Sequence, residues 1–219
     1  IDAIRKKYHM GWWGVGLRIF GREDINKTIY PILEKALTDL KPLSFKPASW
    51  KRGEPIAPNP NMGVPTTFPL QSCNWHGGRG GHVGFSPVLP QSGKLALDQF
   101  HQTYARYKEF GMDYQASFAF GERHLINVNI VLFDKDDPAM MKRVDPFLKS
   151  LIADARQRGY CEYRTHLDYM DTVADTYDFN NHALRRLNQK VKDALDPAGI
   201  IAPGKSGVWA SGQAKEHRS

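Results

Sequence analysis

Cysteine is scarce in this chain, which has Cys73 and Cys161 among its 219 residues and no CxxC pair. Two thiols cannot form a disulfide scaffold, so we expect a reducing compartment, the cytoplasm. The eight histidines lack ligand spacing such as HExxH, and we expect no metal site. The sequence also lacks an apolar run of the roughly 18 residues that cross a bilayer, which argues against a membrane partner. A targeting signal would lie upstream of residue 1, where this sequence does not decide the question.

The composition is that of a folded protein, with 41% hydrophobic and 24% charged residues. The formal net charge of +7 would suit an acidic partner such as nucleic acid, a membrane surface or a phosphorylated cofactor. The basic residues are scattered along the chain, however, and scattered charge is typical of a solvated surface. Charge alone therefore does not identify a partner.

The middle of the chain has the order strand, helix, strand, strand, helix, strand. Alternating apolar residues predict the strands, and apolar stripes at helical spacing predict the helices. This order predicts an α+β fold, the ferredoxin-like split βαβ unit, in which an antiparallel sheet carries both helices on one side. The predicted elements are strand 82–88, helix 94–110, a hairpin of strands 114–120 and 126–132, a helix that begins at Pro138 and ends before Gly159, and strand 160–165.

Apolar stripes give each of these elements a predicted inner face. The first helix carries a stripe of four residues, and the second hairpin strand alternates four aliphatic side chains with polar ones. We expect both sets to contribute to the core. They are Leu97, Phe100, Tyr104 and Tyr107 on the helix, and Ile126, Val128, Ile130 and Leu132 on the strand.

The flanking segments are less regular. Residues 11–20 predict a strand, Asp24 predicts the cap of a helix that Pro31 kinks, and residues 41–81 form a long irregular connection rich in proline and glycine. After His166 we expect helices at 167–177 and 181–195, the second with an apolar stripe, and then a polar tail at 210–219 that nothing holds. The stripe consists of Leu184, Leu187, Val191 and Leu195.

The glycine-rich segment GGRGGH at 77–82 has several interpretations. Glycines let backbone N–H groups approach an anion, but no Lys-Ser/Thr follows and no helix begins there, unlike in a phosphate-binding loop. As an RGG element for nucleic acid it occurs only once. The remaining interpretation is that the glycines permit a tight turn before the strand that begins at His82.

Three segments together resemble the C-terminal half of the vanillyl-alcohol oxidase / p-cresol methylhydroxylase family. They are GGHVGFSP at 80–87, EYRTH at 162–166 and PAGIIAPGKSGVW at 197–209. Members of this family are flavoenzymes that oxidise para-substituted phenols. The resemblance covers roughly 11–209 and is strongest from Asn74 onward.

The resemblance implies a domain organisation. Residues 1–160 would be part of the cap, or substrate, domain, with its long loop at 41–81, and residues 161–209 would return toward the FAD domain, ahead of the tail at 210–219. The family's N-terminal FAD-binding domain, with its pyrophosphate loop and an Asp near the flavin, would be a partner missing from this chain. The chain alone would then be inactive.

His82 is the residue that the resemblance assigns to the cofactor. In the histidine-linked members a ring nitrogen at the matching position is joined to the 8α-methyl group of FAD. Gly84 and Ser86 would face the substrate pocket beside that linkage. From the residues alone, His82 at the start of a strand is equally compatible with a structural histidine.

Tyr163 and Arg164 are the predicted catalytic residues. In a strand these neighbours point to opposite faces, and Arg164 could simply form a salt bridge with a carboxylate such as Glu162. The resemblance implies instead that the tyrosine hydroxyl and the guanidinium stabilise a phenolate, and that Arg164 also binds the reduced flavin.

Two further positions are less specific. By resemblance Lys205 in APGKSG would lie near the cofactor, although a lysine in a loop is as often only solvated. Ser117 matches a position that lines the substrate pocket in related oxidases, and it could equally be a plain residue of the sheet.

The resemblance implies an FAD-dependent oxidoreductase for 4-substituted phenols of the vanillyl-alcohol or eugenol type. Hydride would pass to covalently bound flavin through a quinone methide, with dioxygen as electron acceptor in an enzyme expected to be a homo-oligomer. One alternative is the flavoprotein subunit of a 4-cresol-type dehydrogenase, which passes electrons to cytochrome c. Another is a non-catalytic ferredoxin-like module that binds RNA, but the aromatic residues lie on core stripes and no aromatic-basic signature is present, so we expect no nucleic-acid partner.

Overall fold

The computed structural model describes residues 2–42, 44–55 and 66–213. The chain divides into two compact units, residues 1–69 and 70–219. Part of the irregular connection predicted at 41–81 and the end of the predicted tail lie outside the described residues. No helix in the described ranges combines the length and the apolar character needed to cross a membrane.

The first unit contains two helices, α1 (Asp2–Lys7) and α2 (Glu23–Thr38). The strand predicted at 11–20 is wrong, because those residues form neither strand nor helix and nearly all of them are exposed. The predicted cap is also wrong: Arg22 occupies the N-cap position, and Asp24 lies in the first turn, where it accepts a hydrogen bond from the Arg22 guanidinium at 2.7 Å. None of the side chains described in α2 is buried.

The second unit has the predicted ferredoxin-like topology. Its elements are β1 (Gly80–Phe85), β2 (Pro87–Pro90), α3 (Gly93–Glu109), β3 (Ala116–Phe120), β4 (His124–Asp134), α4 (Pro138–Gln157), β5 (Cys161–Glu162), α5 (Met170–Ala174) and α6 (Phe179–Leu195), with 3-10 turns at Phe68–Asn74, Leu167–Tyr169 and Lys205–Gly207. The strands form one antiparallel sheet. Strand β3 lies at one edge, β4 is next to it, and β1 and β2 follow as two parts of one interrupted strand, with β5 beside β2 at the other edge.

The caps of the two sheet-covering helices explain where these helices begin. The carboxylate of Asp137 accepts hydrogen bonds from the N–H groups of Ala139 and Met140, and Pro138 occupies the first helical position, as predicted. At α3 the cap is Ser92, whose hydroxyl accepts from Leu95 N–H at 3.4 Å. Both helices therefore begin at residues that satisfy free backbone donors.

The hydrophobic core lies between the sheet and helices α3 and α4. Tyr107 and Phe147 meet edge to face at its centre, with ring centroids 4.7 Å apart, and both side chains are fully buried. Of the stripe predicted on α3, Leu97 is exposed, whereas Gln99 and Thr103 are buried. Most of the remaining core comes from one face of the sheet and one face of α4: Val83, Phe85, Val131, Phe133, Met140, Val144, Leu148, Leu151, Ile152 and Ala155. Met112, Tyr169 and Val173 complete it.

Strand β4 turns the unexpected side toward this core. The predicted inner set is Ile126, Val128, Ile130 and Leu132, yet in this set Leu132 is the one buried side chain. The opposite set faces the helices and is buried throughout: Leu125, Asn127, Asn129, Val131 and Phe133. The aliphatic set therefore belongs to the uncovered side, which we call the open face of the sheet.

A hydrogen-bonded network explains why asparagines can lie on the core side. Asn129 donates to Asn127 Oδ1 at 2.9 Å, Gln99 donates to Thr103 at 2.9 Å, and Arg158 donates to Gln99 Oε1 at 2.6 Å. Buried amides are tolerated when such partners satisfy them. The polar residues of α3 and β4 thus match each other across the core.

The C-terminal segment packs on itself through charged groups. Asp171 accepts hydrogen bonds from Arg185 at 2.6 Å and from the Trp209 indole at 3.1 Å. The chain remains held beyond 209, because Ser211 N–H donates to Asp193 at 2.8 Å and Ala210 is buried. The expectation that nothing holds residues 210–219 is therefore wrong for 210–213, the part that the structure describes.

An apolar stripe on α6 faces solvent, as the sequence predicts. Leu184, Leu187, Val191 and Leu195 are all about half exposed or more, with Leu187 at 59%. An uncovered apolar face of this kind drives association. We expect the isolated 219-residue chain to self-associate and Leu187→Gln to weaken that association about tenfold, the amount that burial of one leucine side chain supports.

Sedimentation velocity over a concentration series measures this effect. Leu97→Gln is the matched control, since Leu97 is 51% exposed on a different helix. Equal effects of both substitutions, or a chain that stays monomeric, would contradict the assignment of the α6 stripe as the associating surface.

Candidate functional site

The open face of the sheet brings together three of the predicted site residues. Side chains of paired residues on antiparallel strands point to the same side, so His82, Gly84 and Ser117 all lie on this face. Their partners on β4 are Leu132, Ile130 and Val128, respectively. The result is an aliphatic surface with the His82 imidazole toward one end and His124, the first residue of β4, at the other.

The missed members of this surface are the aliphatic residues of β4. Ile126, Val128 and Ile130 are half-buried and form the middle of the open face. Alternation identified them as one set, but no local signal told which side of the strand the helices would cover. The information lies elsewhere in the sequence. The buried polar residues of α3 need polar partners, and the asparagine side of β4 provides them.

Close backbone approach explains the glycines before His82. A Cβ on Gly80 would lie 1.9 Å from the carbonyl oxygen of Cys73, and Gly78 has a φ of +58°. The Arg79 side chain is held by Asp136 at 2.8 Å, and β1 begins at Gly80. The structure therefore supports the tight-turn interpretation of GGRGGH rather than a loop open to phosphate.

This close approach places a thiol beside the imidazole. Cys73 Sγ lies 3.3 Å from His82 Nδ1. Whichever atom carries the proton, Nδ1 is engaged with sulfur, and Nε2 is the ring nitrogen that remains for another contact. His82 is exposed, in agreement with a nitrogen that is available to a cofactor.

Tyr163 and Arg164 lie in a bend and not in a strand, which corrects the prediction of a strand at 160–165. The strand β5 ends at Glu162, and Arg164 Cζ stands over the Tyr163 ring, 5.6 Å from its centroid. Both side chains are exposed. In the described part of the chain Arg164 forms no ion pair, so the structure lacks the Arg164–Glu162 salt bridge that was its alternative role.

Glu162 has a different partner. Its carboxylate accepts a hydrogen bond from Ser86 N–H at 2.8 Å, and the residue is only 4% exposed. Burial raises the pKa of Glu162 to about 7, although the Ser86 N–H and the Thr165 hydroxyl act in the opposite direction. The side chain therefore changes its charge near neutral pH.

The remaining predicted residues lie elsewhere. Ser86 is buried at the break between β1 and β2, so the structure does not expose its side chain beside Gly84. Lys205 is exposed in a 3-10 turn that packs mainly against α5, with Ser206 N–H 3.2 Å from Met170 Sδ. The contacts of this turn do not connect Lys205 with the open face.

The open face suits a planar aromatic group better than a metal ion. No cluster of three His, Cys, Asp or Glu side chains with metal-binding geometry occurs in residues 2–42, 44–55 and 66–213. A Cβ placed on Gly84 would meet no other described atom within 4 Å, so space lies directly above the sheet beside His82. The residues that could hold a planar ring system there are His82 and the aliphatic side chains of β4.

Register relates the two parts of the candidate site. Pro87 pairs with Glu162, so Tyr163 leaves the sheet opposite Ser86. His82 lies four residues farther along the same strand, about 13 Å at strand rise. The bend and the imidazole thus bracket a stretch of the open face.

Comparison with known proteins finds a matching family model and similar proteins. Residues 94–206 match the family described as FAD linked oxidases, C-terminal domain. The flavoprotein subunit of 4-cresol dehydrogenase (hydroxylating) from Pseudomonas putida is 29% identical over 211 residues, which are 95% of this chain and 40% of that protein.

Two solved structures are similar in fold. A 4-ethylphenol oxidase from Gulosibacter chungangensis in complex with isoeugenol is 39% identical with a TM-score of 0.65, over 69% of this chain and 29% of that one. A p-cresol methylhydroxylase with substrate bound is 26% identical with a TM-score of 0.81, over 95% of this chain and 40% of that one. The chain thus spans less than half the length of the proteins that it resembles.

Proposed function

The chain belongs to the family of FAD linked oxidases, C-terminal domain, and from this premise we propose that it is the substrate-side part of an FAD-dependent enzyme that oxidises 4-substituted phenols. The observation that carries the proposal is the shared face of His82, Gly84 and Ser117, an aliphatic surface with an exposed imidazole whose Nδ1 contacts Cys73. The names of the similar proteins, a 4-cresol dehydrogenase and a 4-ethylphenol oxidase, support the substrate class.

Each residue has a defined role in this proposal. When bound, FAD supplies the acceptor for a hydride from the carbon attached to the para position of the phenol. His82 Nε2 would hold the cofactor covalently, and the aliphatic residues of β4 would form one apolar wall beside the reacting atoms. The Tyr163 hydroxyl and the Arg164 guanidinium bind the phenol oxygen as it becomes negatively charged.

The pyrophosphate of FAD needs further protein, since the open face offers no site for it. We propose that an FAD-binding domain, in the same protein or a partner chain, completes the enzyme. This assembly is called the complete enzyme below. The greater length of the similar proteins supports this step.

The electron acceptor has two candidates. The 4-ethylphenol oxidase is more similar in sequence over its matched part, at 39%, and its name indicates dioxygen, which we propose as the acceptor. The 4-cresol dehydrogenase subunit matches more of this chain, at 95%, and favours a protein acceptor such as cytochrome c. Stopped-flow reoxidation of the reduced complete enzyme in air-saturated buffer, with and without cytochrome c, distinguishes the two.

Substitution of Arg164 tests the phenol-binding role. Arg164→Lys keeps the charge and loses the planar pair of donors, so we expect turnover of 4-ethylphenol by the complete enzyme to fall about tenfold or more, corresponding to roughly 1.4 kcal/mol of transition-state stabilisation. Tyr163→Phe should raise the KM for phenols with little effect on the melting temperature. Steady-state kinetics of both variants provide the measurement.

The matched control is Arg123→Lys, the same substitution at an exposed arginine in the β3–β4 turn. It should leave turnover unchanged. Wild-type kinetics in both the Arg164 and Tyr163 variants would refute the assignment of the bend as the phenol site.

A further inference from the structure

The edge of the sheet at β5 ends in an unusual way. Backbone pairing between β2 and β5 stops at Pro87 and Glu162. The next donor on the neighbouring strand is the N–H of Ser86, and it is satisfied by the Glu162 side chain at 2.8 Å rather than by a further residue of β5. One carboxylate thus replaces the backbone acceptor that a longer strand would supply.

This replacement changes where the next two side chains point. If β5 continued, Tyr163 and Arg164 would alternate to opposite faces of the sheet and could not approach one substrate atom together. Since the strand ends, the chain bends at 163–164 and the guanidinium stands over the tyrosine ring. Both side chains then leave the sheet at the same point.

The surroundings of Glu162 are polar but closely packed. The Tyr177 hydroxyl donates to the Glu162 backbone carbonyl, the Thr165 hydroxyl faces its carboxylate, and Cys161 Sγ contacts Thr176 O at 3.6 Å. The described groups that act on the carboxylate are the Ser86 N–H and the Thr165 hydroxyl, and no described cation is paired with it. The titratable neighbours are Tyr177, whose pKa is raised by burial and by Cys161 and Glu162, and Cys161 itself. The hydrogen bond to Ser86 therefore adds to the backbone pairing of β5 with β2, and it lies on the side of that pairing toward His82.

We propose that Glu162 is a positioning residue: its side chain ends β5 and holds the Tyr163–Arg164 bend against the strand that carries His82 and Gly84. The inference rests on the proposed function for its catalytic consequence, but the clamp itself is a property of this chain. Glu162 touches neither cofactor nor substrate in this role. It acts by fixing the distance between the phenol-binding pair and the imidazole.

Two variants separate the hydrogen bond from the charge. Glu162→Gln keeps an acceptor oxygen at the same position, whereas Glu162→Met has nearly the same size and no acceptor. Without an acceptor the buried Ser86 N–H has an unfavourable free energy. This cost is enough for the local structure to open about tenfold more often. We therefore expect hydrogen exchange at the Ser86 amide, measured by NMR on the 219-residue chain, to accelerate about tenfold or more in Glu162→Met and to stay near wild type in Glu162→Gln.

The same pair is then compared in the complete enzyme. We expect Glu162→Met to lower kcat for 4-ethylphenol about tenfold, because the bend no longer holds its position. Its covalent flavin content should be unchanged. Above pH 7, Glu162→Gln should have the kcat that Glu162→Met loses. The control for general destabilisation is Val144→Ala, in the core near the start of α4. It should change the melting temperature with no effect on Ser86 exchange or kcat.

The outcomes distinguish the two proposals. Wild-type Ser86 exchange in Glu162→Met, or equal damage in Met and Gln, overturns the clamp regardless of catalysis. A complete wild-type enzyme that is inactive on phenols, with the expected exchange results, overturns the proposed function and leaves the clamp intact.

Discussion

Replacement of His82 by alanine in the complete enzyme is expected to abolish covalent flavin. Alanine provides no nucleophilic nitrogen, and His76, six residues earlier in the sequence, is engaged with Asp113 at 3.4 Å. Wild-type enzyme precipitated with acid should remain yellow in the pellet, whereas all flavin of the His82→Ala variant should appear in the supernatant. Absorbance of both fractions near the flavin maximum measures the effect.

The control for this experiment is His101→Ala, which removes an exposed imidazole on α3. It should retain flavin as wild type does. Complete release of flavin from the unmodified enzyme, or retention by the His82 variant, would contradict a linkage through His82. Peptide mass spectrometry then locates the true attachment, and in the expected case the flavin mass lies on the peptide that contains His82.

Glu162→Gln is expected to remove a pH-dependent contribution to the free energy of unfolding that is on the order of 3 kcal/mol. The folded protein raises the pKa of Glu162 from 4.5 to about 7, because burial disfavours the charged carboxylate. A raised pKa means that the folded state holds its proton more tightly than the unfolded state does. The stabilisation that the protonated group provides is thus fully present below pH 4.5 and is lost as pH rises through about 7.

Glutamine cannot titrate, so the comparison isolates this one group. The unfolding free energy of wild type minus that of Glu162→Gln should fall by roughly 3 kcal/mol between pH 4 and pH 8, since all other groups titrate alike in both proteins. Urea denaturation of the 219-residue chain at a series of pH values gives the difference. A difference that is flat with pH would show that the buried carboxyl group ionises normally.

Local chemistry made part of the fold predictable from sequence. Asp137 and Pro138 place the start of α4 within a residue, because a cap and a proline act only on the adjacent turn. The turn between β3 and β4 is equally local, with Gly121 N–H bonded to His124 O at 2.9 Å. The order of elements follows from such signals, and the ferredoxin-like sheet follows from the order.

The failures have long-range causes. Both sides of β4 are largely apolar or amide-bearing, so its inner side was decided by Gln99 on α3, which is 28 residues away in sequence and donates to Asn127 at 3.4 Å. The predicted continuation of β5 failed for a related reason, since the side chain of Glu162 competes with the backbone for Ser86. Neither competition is visible in the periodicity of a single segment.

For the candidate site, the family motif identified positions and the structure supplied their arrangement. His82 and Gly84 come from one stretch of the sequence and Ser117 from another, and only the register of β1 and β3 on β4 shows that they share a face. The contact of Cys73 with His82 was not foreseen at all, because it depends on how closely Gly80 lets the chain return.

Gly80 and Gly84 lie in the same strand but differ in whether another residue could replace them. At position 80 any side chain would collide with the Cys73 backbone, whereas at position 84 a side chain would extend into empty space above the sheet. Larger residues at position 84 should consequently be compatible with folding, and if the proposed function holds they should narrow the range of accepted para substituents. A saturation library for altered selectivity would begin at codon 84 and leave codon 80 untouched.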